Sequence, residues 1–101
     1  MGKKRFSPKQ RATNQNIKNV DNDKPILYSL LQKQKVQYFG VAKRGRGAER
    51  LMEEKKEEGK NFDSFAVMPF DSIEKAEKRE KQLIRKVRPP LNILGKKKPK
   101  S

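Results

Sequence analysis

The sequence predicts an α+β domain: a small, mostly antiparallel three-stranded sheet flanked by helices, in the order strand, strand, helix, strand, helix. Two apolar runs rich in aromatic and β-branched residues, 25–31 (PILYSLL) and 35–41 (KVQYFGV), give the first pair of strands. A helical pattern over 48–58 leads to a third strand-like run over 61–70, and a second, longer helical pattern follows over 71–92.

The first two strands are close neighbours in sequence, so they pair as an antiparallel hairpin. Their connector, Gln32-Lys33-Gln34, holds no Gly, Asn or Asp, which disfavours a tight two-residue turn and predicts a longer loop. If residues 30 and 36 pair, Tyr28 stands directly opposite Tyr38, and Gly40 leaves a gap in the side-chain cover that a ligand backbone could approach. After Gly40 comes the loop AKRGRG, whose Lys43, Arg44 and Arg46 are candidate phosphate contacts. The first helix turns Ala48, Leu51 and Met52 inward and stops at Gly59. Arg50 and Glu54, four apart on it, form at least a helix-surface pair. In the third strand, Phe62, Phe65 and Phe70 are expected to fill the core.

The last helix opens at Asp71, with Glu74 completing a capping box, and Pro89-Pro90 forbids its continuation. Ile73, Ala76, Leu83, Ile84 and Val87 recur at helical spacing as the buried stripe. Glu80 lies in that stripe. A half-buried carboxylate needs a cation, either Arg50, Arg79 or a lysine in an ion pair, or a metal.

Composition bounds the functions available. The 101 residues carry a net charge of +15, which makes a polyanion the expected partner. Residues 1–24 (net +5) and 95–101 are polar and basic and read as disordered tails around one domain over 25–94; the lysines 96–98 would bind phosphates without reading sequence. With neither cysteine nor histidine, Cys/His zinc sites, cysteine nucleophiles and Ser-His-Asp triads are excluded, so any metal must be a hard one held by oxygen. No run approaches the ~20 apolar residues of a membrane span and no signal peptide is visible, so the expectation is an intracellular protein of the cytoplasm or nucleoid, with no membrane partner.

In combination, the spacings resemble the GIY-YIG nuclease family. Ile26-Leu27-Tyr28 stands for the first motif and Tyr38-Phe39-Gly40 for the second, with ten residues between the tyrosines. Arg50, followed by Leu51, stands for the arginine of the first helix; Glu80, Leu83, Ile84, Pro89 and Asn92 reproduce the glutamate pattern. The pattern departs at Ile26, in place of the opening Gly, and at Glu54, where a His or Tyr is usual.

The resemblance implies a metal-dependent endonuclease that hydrolyses phosphodiester bonds, with DNA favoured over RNA. It implies a catalytic set of Tyr28, Tyr38, Arg50, Glu80 and Asn92, with Glu80 the ligand of Mg²⁺ or another divalent cation such as Mn²⁺. Tyr38 would be the base, Arg50 would neutralise phosphoryl charge, and Tyr28 would orient water or phosphate. No separate recognition domain is visible, so specificity would come from loops, tails, a homo-oligomer or a partner subunit. The rival reading is a non-catalytic basic nucleic-acid-binding protein, either a degenerate nuclease fold or a ribosome-associated protein.

Overall fold

The computed structural model describes residues 5–57 and 61–92. The elements run β1 (Gln10–Arg11), α1 (Asn14–Lys18), β2 (Ile26–Gln32), β3 (Lys35–Ala42), α2 (Gly47–Lys56), β4 (Ser64–Pro69) and α3 (Ile73–Val87). They form one antiparallel sheet in the order β1-β4-β2-β3. The expected strand and helix order is present, with a short fourth strand added at one edge.

β2 lies between β3 and β4, and the helices cover both faces of the sheet. That is why PILYSLL is a continuous apolar run rather than an alternating one. Ile26, Tyr28, Leu30 and Phe65 face Ile17, Val20 and Leu51 from the α1 and α2 side. Leu27, Phe39 and Met68 face the other way, against Ala76, Leu83 and Ile84 of α3. No helix among the described residues is long and apolar enough to cross a membrane.

The N-terminal segment is not the featureless tail that its composition predicts. β1 pairs with β4, and Ile17 is fully buried with Val20 beside it. Thr13 caps α1 by accepting from the Asn16 N–H at 3.1 Å, and Lys55 of α2 donates to Asn14 at 2.9 Å. Two apolar anchors, three residues apart, suffice to dock a segment that is otherwise polar. The expected C-terminal tail, with Lys96, Lys97 and Lys98, lies outside the described residues.

The hairpin between β2 and β3 also differs from expectation. Gln32 pairs with Lys35 across a tight two-residue turn in which Lys33 (φ 51°) and Gln34 (φ 69°) both adopt left-handed backbone. Asp63 supports it by accepting from the Lys33 N–H at 3.0 Å, while its own N–H donates to the Leu31 carbonyl at 2.9 Å. The neighbouring chain thus offsets a backbone cost that glycine would have avoided. An irregularity follows between Leu30 and Leu31: Leu31 pairs with Val36 but Leu30 with Tyr38, so Tyr28 falls opposite Gly40 and not opposite Tyr38.

At α3 the cap is Ser72, whose side chain accepts from the Lys75 N–H at 3.2 Å; Asp71 instead pairs with Lys24 at 3.3 Å. The helix ends at Arg88 in left-handed conformation (φ 55°), and a new helical turn starts at Pro90.

Candidate active site

Tyr28 is delivered by the central strand, so its ring is buried on both sides and fully excluded from solvent. Its hydroxyl donates to Glu54 Oε2 at 2.5 Å. Glu54 is itself only 3% exposed, because the turn of α2 that buries Leu51 carries it toward the sheet. Arg50, one turn earlier, brings its guanidinium within 4.0 Å of the same carboxylate and within 3.2 Å of Glu53. The pair that sequence spacing places on a helix surface is therefore a buried carboxylate held between a phenol and an arginine.

Electrostatics follow from this packing. Burial pushes the Tyr28 phenol far above its ordinary pKa; the charge of Glu54 and its hydrogen bond push the same way, Arg50 opposes, and Tyr38 adds a small upward push. Tyr28 therefore stays protonated and acts as a donor to Glu54. Its expected direct contact with water or phosphate is absent, since no part of the side chain reaches solvent. For Arg50, burial works against the charge, but Tyr28, Glu54 and Glu53 more than offset it and raise its pKa.

Gly40 does not provide a ligand gap either. The Tyr28 ring fills the space: a Cβ at Gly40 would come within 2.5 Å of Cζ and Oη of Tyr28. Tyr38, two residues earlier on β3, lies half-buried on the same face and packs against the cluster that contains Tyr28. The two tyrosines share a face as expected, but diagonally.

Asn92 is tied to β3 by two bonds. Its Oδ1 accepts from the Phe39 N–H at 2.7 Å, and its Nδ2 donates to the Phe39 carbonyl at 3.0 Å. Because β3 is the sheet edge away from β4, Phe39 has its backbone groups free for this contact, next in sequence to Tyr38. Arg50 also lines a cleft of ≈ 270 Å³ with Val41, Ala42, Lys43 and Arg46, so two of the three loop cations reach it. Arg44 is exposed beside this cleft without lining it. Arg46 is partly neutralised by Glu49 at 3.0 Å and Glu53 at 3.7 Å.

Glu80 stands apart. It is half-buried on the inward side of α3, and among the described residues it makes no ion pair or hydrogen bond: Arg79 bonds to Gln82, and Arg50 to Glu53 and Glu54. Burial raises its pKa, Glu77 adds to the rise, and Lys81 counters it. Among the described residues neither Arg50, Arg79 nor a lysine forms an ion pair with it.

The α3 helix covers the opposite sheet face from Tyr28 and Tyr38. The structure thus brings Tyr28, Tyr38 and Arg50 together with Glu54, which the sequence places where a His or Tyr is usual, and fixes Asn92 alongside. Among the described residues no ion pair or hydrogen bond links Glu80 to them.

Among the described residues no three carboxylates cluster as a self-sufficient metal cage. A half-buried carboxylate with no ion pair or hydrogen bond among the described residues fits a hard cation that completes its shell with water and phosphate oxygens. Glu54 does not fit that role, because Tyr28 and Arg50 already occupy it.

No family model matches the sequence, and no curated protein matches it. Among solved structures, the chain is similar to the GIY-YIG N-terminal endonuclease domain of UvrC from Thermotoga maritima bound to its catalytic divalent cation, magnesium. The TM-score is 0.62 at 23% identity, over 76% of this chain and 92% of that one. A point mutant of the same domain, also bound to its catalytic divalent cation, gives a TM-score of 0.62 at 24% identity, over 76% and 91%. At this identity the likeness speaks for architecture, and it agrees with the order of elements read from the sequence. The protein has a GIY-YIG-like fold.

Proposed function

We propose that this chain is a metal-dependent endonuclease that hydrolyses phosphodiester bonds, with DNA favoured over RNA. The observation that carries the reading is Glu80: a half-buried carboxylate left without a cation partner among the described residues, in a fold similar to that of a nuclease domain with a bound divalent cation. Glu80 would hold Mg²⁺ or Mn²⁺, which supplies positive charge to the phosphoryl oxygens when bound.

The other roles fall to this chain's own groups. Arg50, half-exposed at its cleft, offers guanidinium donors to a phosphoryl oxygen as charge grows on it. Tyr38, the less buried of the two phenols, takes the proton of the attacking water; a neighbouring cation must lower its ordinary pKa of ~10 for this. Tyr28 acts through Glu54, whose carboxylate it and Arg50 hold in place. Asn92 fixes the backbone of Phe39 and so positions Tyr38.

Plasmid nicking with Mg²⁺, thermal melting and DNA affinity, measured together on Glu80→Gln, test the reading. Nicking is expected to disappear, with affinity nearly unchanged because phosphate contacts come from lysine and arginine. The melting temperature is expected to hold or rise slightly, since removing an unpaired, half-buried charge relieves its desolvation. Retained nicking with a lowered melting temperature would make Glu80 a structural ion-pair partner and reject the metal role.

A further inference from the structure

The surplus positive charge of the folded part lies on α3, away from the Arg50 cleft. Lys78, Arg79, Lys81, Arg85, Lys86 and Arg88 are all exposed, and among the described residues none of them is in an ion pair. The one acidic residue of this stretch, Glu80, sits on the inward side, so residues 78–88 carry a net +5 on an open surface. Around α2, by contrast, Arg46 and Arg50 are both tied to carboxylates.

The helix dipole accounts for cations in the last turn, where Arg85 and Lys86 lie. It gives no reason for Lys78, Arg79 and Lys81 in the middle.

Their spacing points to an occupant. Lys78, Lys81 and Arg85, three and four residues apart, share one flank of the helix, and Arg79 and Lys86, seven apart, share the other. Each flank extends about 10 Å along the axis at ~1.5 Å per residue, and a helix with side chains is about 10–12 Å wide. That width matches the major groove of a duplex, about 12 Å across, so the two rows can reach the phosphates of both walls. A membrane surface fits poorly, because Val87 is the one large apolar side chain exposed among the described residues and an interfacial helix needs several.

We infer that the outer face of α3 is a second nucleic-acid docking surface, which grips the phosphate walls of a duplex groove on the side of the sheet opposite the Arg50 cleft. The inference rests on the nucleic-acid reading above but not on cleavage.

The test is therefore a binding measurement without divalent metal, using the full chain and a 24-base-pair DNA duplex over a range of salt. Lys78→Gln/Lys81→Gln/Arg85→Gln is compared with Lys33→Gln/Lys35→Gln/Lys56→Gln, which removes equal charge from other surfaces. The α3 variant is expected to lower the slope of log affinity against log salt by roughly two to three, at ~0.9 per phosphate contact, and the control by less than one. Equal falls in the two variants would show that net charge alone matters and overturn the proposal.

A second measurement needs no substitution. Acylation of lysines in the parent protein should slow at Lys78, Lys81 and Lys86 when the duplex is added. No protection there, or equal protection by phosphatidylserine vesicles at matched charge, would also overturn it.

Discussion

Tyr28 and Gly40 form a cross-strand pair in which the phenol ring occupies the volume that any side chain at residue 40 would need. The glycine is required by its partner and not by its own backbone angles. Gly40→Ala should force the ring away from Glu54 and cost about 1–3 kcal/mol, the usual range for overpacking a core. Urea unfolding of Gly40→Ala with and without Tyr28→Ala checks this: the penalty should largely vanish once the ring is gone.

The Tyr28 hydroxyl should impose an alkaline limit on stability. Its pKa is raised in the folded state, so the contribution is fully present below the unfolded value of ~10. Above that pH the unfolded chain releases a proton that the folded chain keeps. Stability should then fall by up to ~1.4 kcal/mol per pH unit from this group. Tyr28→Phe should lack that slope, and at neutral pH should be less stable by about 1–3 kcal/mol, because Glu54 loses a buried donor. Denaturant melts of both proteins between pH 7 and 11 provide the measurement.

The hairpin turn should accept glycine. Gln34 holds φ 69° without the freedom that glycine would bring, so Gln34→Gly should stabilise by about 1 kcal/mol. Thermal melting reports it, and Gln34→Val should move the other way.

Removing the N-terminal segment should act on the fold before it acts on binding. Ile17 is fully buried against α2 and the sheet, so Ile17→Ala should cost about 2–5 kcal/mol. A truly disordered tail would leave the urea midpoint unchanged. Deletion of residues 1–24 therefore cannot be used as a clean probe of electrostatic tail binding.

What the sequence made legible is what periodicity and spacing encode. The β2–β3 hairpin, the shared face of Tyr28 and Tyr38, and the α3 stripe with Glu80 within it all came from residue order, except that Val87, expected in the stripe, is exposed in the last turn of the helix. The hairpin register did not come from it: Leu30 pairs with Tyr38 and not with Val36, and a displacement of two residues keeps every side chain on its face, so the apolar pattern cannot reveal it. The burial of Glu54 was invisible for a different reason. An arginine and a glutamate four apart look alike whether the helix turns them to water or to a buried phenol, and only the approach of β2 decides between the two. Ile17 and Val20 were too sparse to stand out against the polar residues around them.

On the open side of β3, where the sheet has no further strand, Asn92 stands in for one: a single amide both accepts from and donates to Phe39, copying one rung of a ladder. An open sheet edge is a template on which a second chain can add itself. By closing that rung, one side chain also shields the β3 edge against self-association. A loss of cleavage in an Asn92→Ala protein accordingly has two physical sources, a displaced Tyr38 and a newly adhesive edge, and dilution separates them, because only the second depends on how many chains are present.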